Sequence, residues 1–414
     1  MKSKEKVFSL SKNKINVLIL EGIHKNAVDY FYENDYTNVE YLSGSLEKDQ
    51  LIKKLKNIHI IGIRSRTHLT KDVLDHAKML IAIGCYSIGT NQVDLEAAKI
   101  KGIPVFNAPF SNTRSVAELV ISECVFLMRR IPEKNFAAHK GIWLKDARSS
   151  YEVRGKNIGI VGYGHIGSQV SILAENMGMN VFYYDIENKL SLGNAKACCS
   201  LEELLAKSDV VTLHVPETEA TKNMISSKEL NQMKKGACLI NASRGSIVNI
   251  EDLSEAMQSE HIAGAAIDVF PEEPGSNNEK FVNVLQNFPN IILTPHIGGS
   301  TVEAQASIAL EVSEKLIKYS NVGSTIGATN FVEISLNPNI ETQRYLHIHK
   351  NKPGILNKIT NVFMSRGLNI SAQYLQTDPF IGYVILDIDN GVDSREIMKE
   401  LKSIPGTIKT RMLN

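Results

Sequence analysis

From Ile15 onward, short apolar runs alternate with amphipathic segments: Val17 to Leu20, Lys25 to Asn34, Ile58 to Ile63, Lys71 to Ala77 and Leu80 to Gly84. Apolar strands alternating with half-apolar helices predict a parallel sheet covered by helices. A second stretch with the same rhythm starts at Ile158 and runs to about Ile297, so two α/β units are expected. Between them Val116, Leu119, Val120, Val125 and Phe126 recur at helical spacing and predict one long helix, Thr113 to Arg130, crossing between the units. Another helix is expected over Ser300 to Tyr319, and then Ser320 to Thr329 and Asn337 to Thr342 have linker composition. The remainder reads strand (Arg344 to His349), helix (Ile355 to Ser365), strand (Asn369 to Gln376), strand (Gly382 to Ile388), helix (Ser394 to Ser403) and strand (Thr407 to Leu413). This βαββαβ order is that of a ferredoxin-like split βαβ sandwich.

The second rhythm opens with Gly162-x-Gly164-x-x-Gly167, set between an expected strand, Asn157 to Val161, and an expected helix, Ile166 to Met177. A bare glycine pattern is weak evidence, but this context gives each glycine a task. Gly162 makes the turn, Gly164 lets backbone approach a pyrophosphate, Gly167 lets helix and strand pack closely, and the helix N-terminus attracts phosphate. The next strand, Asn180 to Tyr184, ends at Asp185. An acid there accepts hydrogen bonds from ribose hydroxyls and repels a 2′-phosphate, which favours NAD over NADP.

Composition narrows the class. A chain of 414 residues is long enough for two or three domains, and 46 basic against 45 acidic residues leave no net field for nucleic acid or an anionic membrane. Five cysteines without C-x-x-C spacing, mostly within apolar runs, suit a reducing cytoplasm. The lysine-rich start, Met1 to Lys14, leads into a short strand rather than an export signal, and the apolar stretch Ala117 to Met128 is too short for a membrane span. Small molecules are the expected partners, and no ligand cluster with zinc spacing is present.

Three successive strand-like runs end in chemistry-bearing loops: Ala237 to Ile240 before Arg244, Ile262 to Ile267 before Glu273, and Ile291 to Leu293 before His296. Ligands of open parallel sheets bind beyond such carboxyl ends. Singly, Arg244 reads as a surface charge, Glu273 as a loop acid and His296 as a turn histidine. Together beside a nicotinamide they are the set that oxidation of a 2-hydroxy acid requires: proton acceptor, orienting carboxylate and carboxylate-binding guanidinium.

With Arg64-Ser65-Arg66-Thr67, Asn107 to Glu118, the glycine fingerprint, Asn241 to Gly245, Ala265 to Phe270 and Thr294 to Gly299, the chain resembles the D-3-phosphoglycerate dehydrogenase family of D-2-hydroxyacid dehydrogenases, of the kind that ends in an ACT regulatory domain. The resemblance covers nearly the whole chain. It implies a flavodoxin-like, doubly wound substrate domain (11–111 and 300–336), a Rossmann NAD-binding domain (112–299), a linker (337–342) and a βαββαβ ACT domain (343–414). It implies Arg244, Glu273 and His296 as catalytic residues. Cofactor contacts would come from Gly162, Gly164, His165, Ile166, Gly167, Asp185, Ala242, Ser243, Arg244, Asp268, His296, Ile297, Gly298 and Gly299. Arg64, Ser65, Arg66 and Asn112 would grip the substrate phosphate, and Trp143 and Lys145 would reach a neighbouring subunit's site. Gly298 and Gly299 resemble a closure hinge.

The same resemblance implies oxidation of 3-phosphoglycerate as the first step of serine synthesis, a homotetramer, and feedback by L-serine bound to His349, Asn351 and Asn369. Two departures bear on that feedback: Lys350 and Lys352 replace commonly acidic and arginine residues, and 337–342 lacks a hinge glycine pair. Two rivals stay open. One is a D-2-hydroxyacid dehydrogenase acting on glycerate, lactate or a 2-hydroxydicarboxylate; since Arg64 and Arg66 favour a second anionic end, reduction of 2-oxoglutarate is expected as a side activity of the phosphoglycerate reading. The other is a non-catalytic nucleotide or amino-acid sensor.

Overall fold

A computed structural model describes residues 10–274, 278–337, 342–389 and 394–413. The linker expected at 337–342 falls almost wholly outside the described residues, as does most of the lysine-rich start. The backbone divides into two compact units, 1–111 with 305–414 and 112–304, so the return crossing falls inside the helix Val302–Val322.

The first unit holds five parallel strands in the order Asn38–Tyr41, Asn16–Ile19, Ile60–Ile63, Ala82–Cys85, Val105–Phe106, the 2-1-3-4-5 order of doubly wound sheets. Ile60–Ile63 and Ala82–Cys85 are buried at every position because helices cover both faces, which is why they read as unbroken apolar runs. The edge strand Asn38–Tyr41 and the helix Lys48–Leu55 carry too little apolar periodicity to be expected from sequence: the strand buries no residue fully, and the helix buries only Leu51 and Leu55.

The second unit holds seven parallel strands in the order Ile291–Leu293, Ile262–Ile267, Ala237–Asn241, Val210–Leu213, Asn157–Val161, Asn180–Tyr184, Lys196–Ala197. Asn157–Val161 pairs with Asn180–Tyr184 on one side and Val210–Leu213 on the other. Strand addition reverses there, and a crevice forms at such a switch point.

The long helix differs from expectation. It spans Thr113–Met128 and ends because Pro132, in the first turn of the next helix Ile131–His139, has no N–H to offer the Met128 carbonyl. Tyr151 N–H donates to that carbonyl instead, at 2.8 Å, while Arg130 turns the chain at φ 51°. Nor does the helix cross between units. It lies within the second, where Val116, Val120, Cys124 and Leu127 pack with Val170 and Ala174 of the helix His165–Asn176.

The C-terminal part forms the expected βαββαβ unit, with an antiparallel sheet in the order Ile370–Thr377, Ile381–Asp389, Thr342–Lys350, Thr407–Leu413. Its strands alternate between two cores. Tyr345, Val384, Leu386 and Ile388 pack on its own helices Ile355–Met364 and Ser394–Ser403. Leu346, Ile348, Tyr383 and Ile385 join Val312, Leu316 and Tyr319 in the core of the first unit. Polar groups meet at this junction as well: Arg344 pairs with Asp387 at 2.7 and 2.8 Å, and Tyr383 Oη donates to Gly323 O at 2.7 Å.

Candidate active site

The glycine turn has the geometry its sequence suggests. Gly162 adopts φ 91°, and a Cβ there would lie 2.5 Å from His214 O. A Cβ on Gly167 would lie 2.1 Å from Gly162 O, so only hydrogen lets the helix His165–Asn176 start this close to the strand. Gly164 meets nothing within 4 Å: its missing side chain opens space beside a helix N-terminus that no side chain caps. That space beside a helix N-terminus suits a pyrophosphate. His165 and Ile166 begin that helix. Asp185 sits beside the turn, one carboxylate oxygen accepting from Tyr163 N at 2.8 Å and the other from Glu187 N at 2.9 Å. These residues fit a dinucleotide.

The three expected strands pair in register, Asn241 beside Ile267 and Ile267 beside Leu293, so their loops leave one sheet edge together. Buried Asn241 builds the first loop, its Oδ1 accepting from Ser243 N and Oγ while its Nδ2 donates to Arg244 O at 2.9 Å. Ala242 and Ser243 form the turn, and the Arg244 guanidinium donates back to Ser243 O at 2.6 Å. Burial pulls the Arg244 pKa down from its usual value, opposed by the nearby charges of Glu217 and Glu273. A Cβ on Gly245 would lie 2.0 Å from the Phe270 carbonyl carbon, so this glycine lets the first and second loops cross.

Asp268, 1% exposed, is consumed by the third loop. Its carboxylate accepts from Ile297 N and Gly298 N, both at 2.8 Å, and from Thr294 Oγ1 at 2.6 Å. The cluster holds His296 at φ 54°, a left-handed conformation costing about 1–3 kcal/mol for a non-glycine residue. His296 Nδ1 lies 3.0 and 3.1 Å from the two Glu273 carboxylate oxygens, leaving Nε2 for a ligand. The hydrogen bond to Glu273 raises the imidazole pKa above 6.5 against the opposing effect of desolvation, with the charges of Glu273 and Asp268 adding to the rise. On Glu273, desolvation acts upward, but the bond to His296 and that ring's charge leave its carboxyl lowered. Asn241, Gly245 and Thr294 supply positioning that no functional role signalled in the sequence. Their common signal is a small or polar residue at the end of an apolar strand or in the loop that follows it.

Asn112, buried at the start of Thr113–Met128, stands against Gly299, where a Cβ would meet its Nδ2 at 2.6 Å. Arg64, Ser65 and Arg66 lie in the first unit, on the loop after Ile60–Ile63. Trp143 is 84% exposed on the second unit, and Lys145 is exposed as well. In the C-terminal sheet, His349 is buried over Gly382, whose added Cβ would lie 2.4 Å from His349 Nε2. Asn351 Nδ2 donates to Asp378 O, and Asn369 Nδ2 to Asp389 Oδ2. Register separates these residues: His349 pairs with Gly382, whereas Ile370, next to Asn369, pairs with Ile388. Six residues along that strand put them about 20 Å apart, at opposite ends of one sheet. Among the described residues no His, Cys, Asp and Glu cluster could hold a metal, and no helix is long and apolar enough to cross a membrane.

Comparison with known proteins gives the family. Residues 121–298 match the D-isomer specific 2-hydroxyacid dehydrogenase NAD-binding domain, and 346–409 match the AHAS small subunit-like ACT domain. The chain is 56% identical to a D-3-phosphoglycerate dehydrogenase of Haemophilus influenzae, over 98% of both chains. It is 55% identical to one of Escherichia coli, over 98% of this chain and 99% of that one. A D-lactate dehydrogenase of Aquifex aeolicus, solved with NAD and lactic acid, superposes with TM-score 0.67 at 26% identity, covering 77% of this chain and all of that one. The chain belongs to the D-3-phosphoglycerate dehydrogenase family of D-isomer specific 2-hydroxyacid dehydrogenases and is an NAD-dependent oxidoreductase carrying an ACT domain.

Proposed function

We propose that the chain oxidises 3-phospho-D-glycerate to 3-phosphohydroxypyruvate, the first step of L-serine synthesis, and that L-serine inhibits it. The observation that carries the reading is the His296–Glu273 pair held on the same strand-end loops as Arg244. His296 Nε2 takes the C2 hydroxyl proton while Glu273 orients the ring and stabilises the imidazolium. Arg244 holds the substrate carboxylate and polarises the forming C2 carbonyl. NAD, when bound, would supply the hydride acceptor for C2. The open side of Gly164, the helix start at His165 and Ile166, and Asp185 would hold that dinucleotide, with Ala242, Ser243 and the Ile297 to Gly299 turn along its nicotinamide half. Asp268 acts there chiefly by fixing the His296 loop.

Arg64, Ser65, Arg66 and Asn112 take the phosphate, for which guanidinium forks are suited. A substrate domain of 11–111 and 300–336 and an NAD-binding domain of 112–299 follow from this assignment. Because two acidic ends satisfy the same arginines, reduction of 2-oxoglutarate is a side activity. The exposure of Trp143 fits a side chain that reaches a neighbouring copy. The separation of His349 and Asn351 from Asn369 means that one serine touches all three only where two ACT domains pair; with a second pairing through the NAD-binding domains this gives a closed homotetramer, and the reduced cysteines suit the cytoplasm.

Oxidation requires neutral His296. Since Glu273 raises that imidazole, activity in the oxidative direction climbs with pH through a midpoint above 6.5. In Glu273→Gln the raising charge is gone, and kcat/KM measured against pH shows the midpoint displaced to lower pH. An unmoved midpoint contradicts the pair.

The serine reading is tested by following NAD reduction with 3-phospho-D-glycerate at increasing L-serine, with thermal melting in parallel. Inhibition and a raised melting temperature at millimolar serine, both lost in Asn369→Ala, are expected. Neither effect at millimolar serine rejects the effector site while leaving the dehydrogenase intact.

A further inference from the structure

The loop Arg64 to Thr67 is built around a carboxylate that the reaction does not use. Glu21 follows the strand Asn16–Ile19, which pairs in parallel with Ile60–Ile63, so both chain segments leave the sheet at the same edge. Its side chain accepts from three backbone N–H groups of the neighbouring loop: Arg66 through Oε2 at 2.9 Å, and Thr67 and Arg64 through Oε1 at 2.9 and 3.2 Å. Glu21 is 9% exposed and sits at φ 61°, in the left-handed region where a glutamate is uncommon. Its backbone is tied to the turn at Leu42 to Gly44, Glu21 N donating to Gly44 O and Gly22 N to Leu42 O. From the other side, buried Gln92 donates to Arg64 O at 2.6 Å.

Converging backbone N–H groups at a loop form an anion-binding nest. Here the nest is already filled by the protein's own carboxylate. An anionic ligand at this edge is therefore left to the side chains, Arg64, Ser65 and Arg66. Ser65 and Arg66 are exposed, and among the described residues no carboxylate pairs with either guanidinium. A long arginine held at one point is entropically loose. Two arginines on a backbone clamped at three N–H groups and one carbonyl are presented together, which reduces the ordering that binding demands.

We propose that Glu21 is a positioning residue for the distal anion of the substrate, setting the preference for 2-oxo acids that carry a second negative end. This rests on the reading that Arg64 and Arg66 grip the phosphate. Glu21→Gln preserves shape but replaces one acceptor oxygen with an NH2 group facing backbone donors, so the clamp opens without creating a cavity. The measurement is steady-state NADH oxidation by the full chain with 3-phosphohydroxypyruvate and with glyoxylate, which has no second anion. The ratio of KM for the phosphorylated acid to KM for glyoxylate is expected to rise about tenfold in Glu21→Gln, with kcat changing much less. In the Arg64→Gln/Arg66→Gln background the same substitution should change that ratio by less than about twofold, because the groups it positions are gone.

A ratio that stays constant, KM values that rise in parallel for both acids, or an undiminished Glu21 effect in the double-arginine background overturns the proposal. Failure of the unmodified enzyme to prefer 3-phosphohydroxypyruvate would instead reject the phosphate reading itself.

Discussion

His296→Asn is expected to lower kcat by about 10² to 10⁴ in both directions. Asparagine is the informative replacement because it tolerates the left-handed backbone that His296 occupies at φ 54°, so the Asp268-bound loop is not asked to change shape. What disappears is the proton acceptor whose other nitrogen rests on Glu273 at 3.0 Å. Melting temperature should therefore stay close to that of the unmodified protein while turnover collapses. Stopped-flow measurement of the chemical step, beside thermal melting, separates the two. A variant that keeps more than about a tenth of its chemical rate would remove His296 from the proton transfer.

Arg244→Lys should cost about 10² to 10³ in kcat/KM despite conserving charge. The guanidinium is held by Ser243 O and by the turn that Asn241 builds, and the nearby charges of Glu217 and Glu273 favour its charged form. An ammonium offers no planar fork for the carboxylate and the C2 oxygen at once. Because the carboxylate at C1 is common to every 2-oxo acid, the loss should be equal for glyoxylate and for 3-phosphohydroxypyruvate. A loss confined to the phosphorylated acid would place Arg244 at the distal end and reverse its role with Arg64 and Arg66.

Much of this arrangement was legible before any coordinates because its signals are local. Strands buried on both faces, such as Ile60–Ile63 and Ala237–Asn241, are written as continuous apolar runs, and chemistry at their ends follows from how open sheets bind ligands. The glycine turn is local too, each glycine answering to a close neighbour or to open space. Where function depends on partners far apart in sequence, the sequence is silent. Nothing around Glu21 announces that it will clamp Arg64 to Thr67, because that contact exists only once two strands pair. Asp268 reads as a cofactor contact, but its carboxylate is occupied by Thr294, Ile297 and Gly298. The helix expected to run to Arg130 ends two residues earlier, at Met128, since a proline acts on the carbonyl four residues back. The separation of Asn369 from His349 is likewise a matter of strand register, invisible in a motif.

The central claim, that this site oxidises a phosphorylated 2-hydroxy acid through His296 and selects it through the Arg64 to Arg66 loop, is tested most directly by a specificity ratio. NADH oxidation is followed with purified protein and 3-phosphohydroxypyruvate, and with glyoxylate, pyruvate and 2-oxoglutarate alongside. The account predicts the highest kcat/KM for the phosphorylated acid, with 2-oxoglutarate next because it too carries a second anion. A higher kcat/KM for pyruvate or glyoxylate would leave the proton transfer standing and contradict the assignment of the substrate.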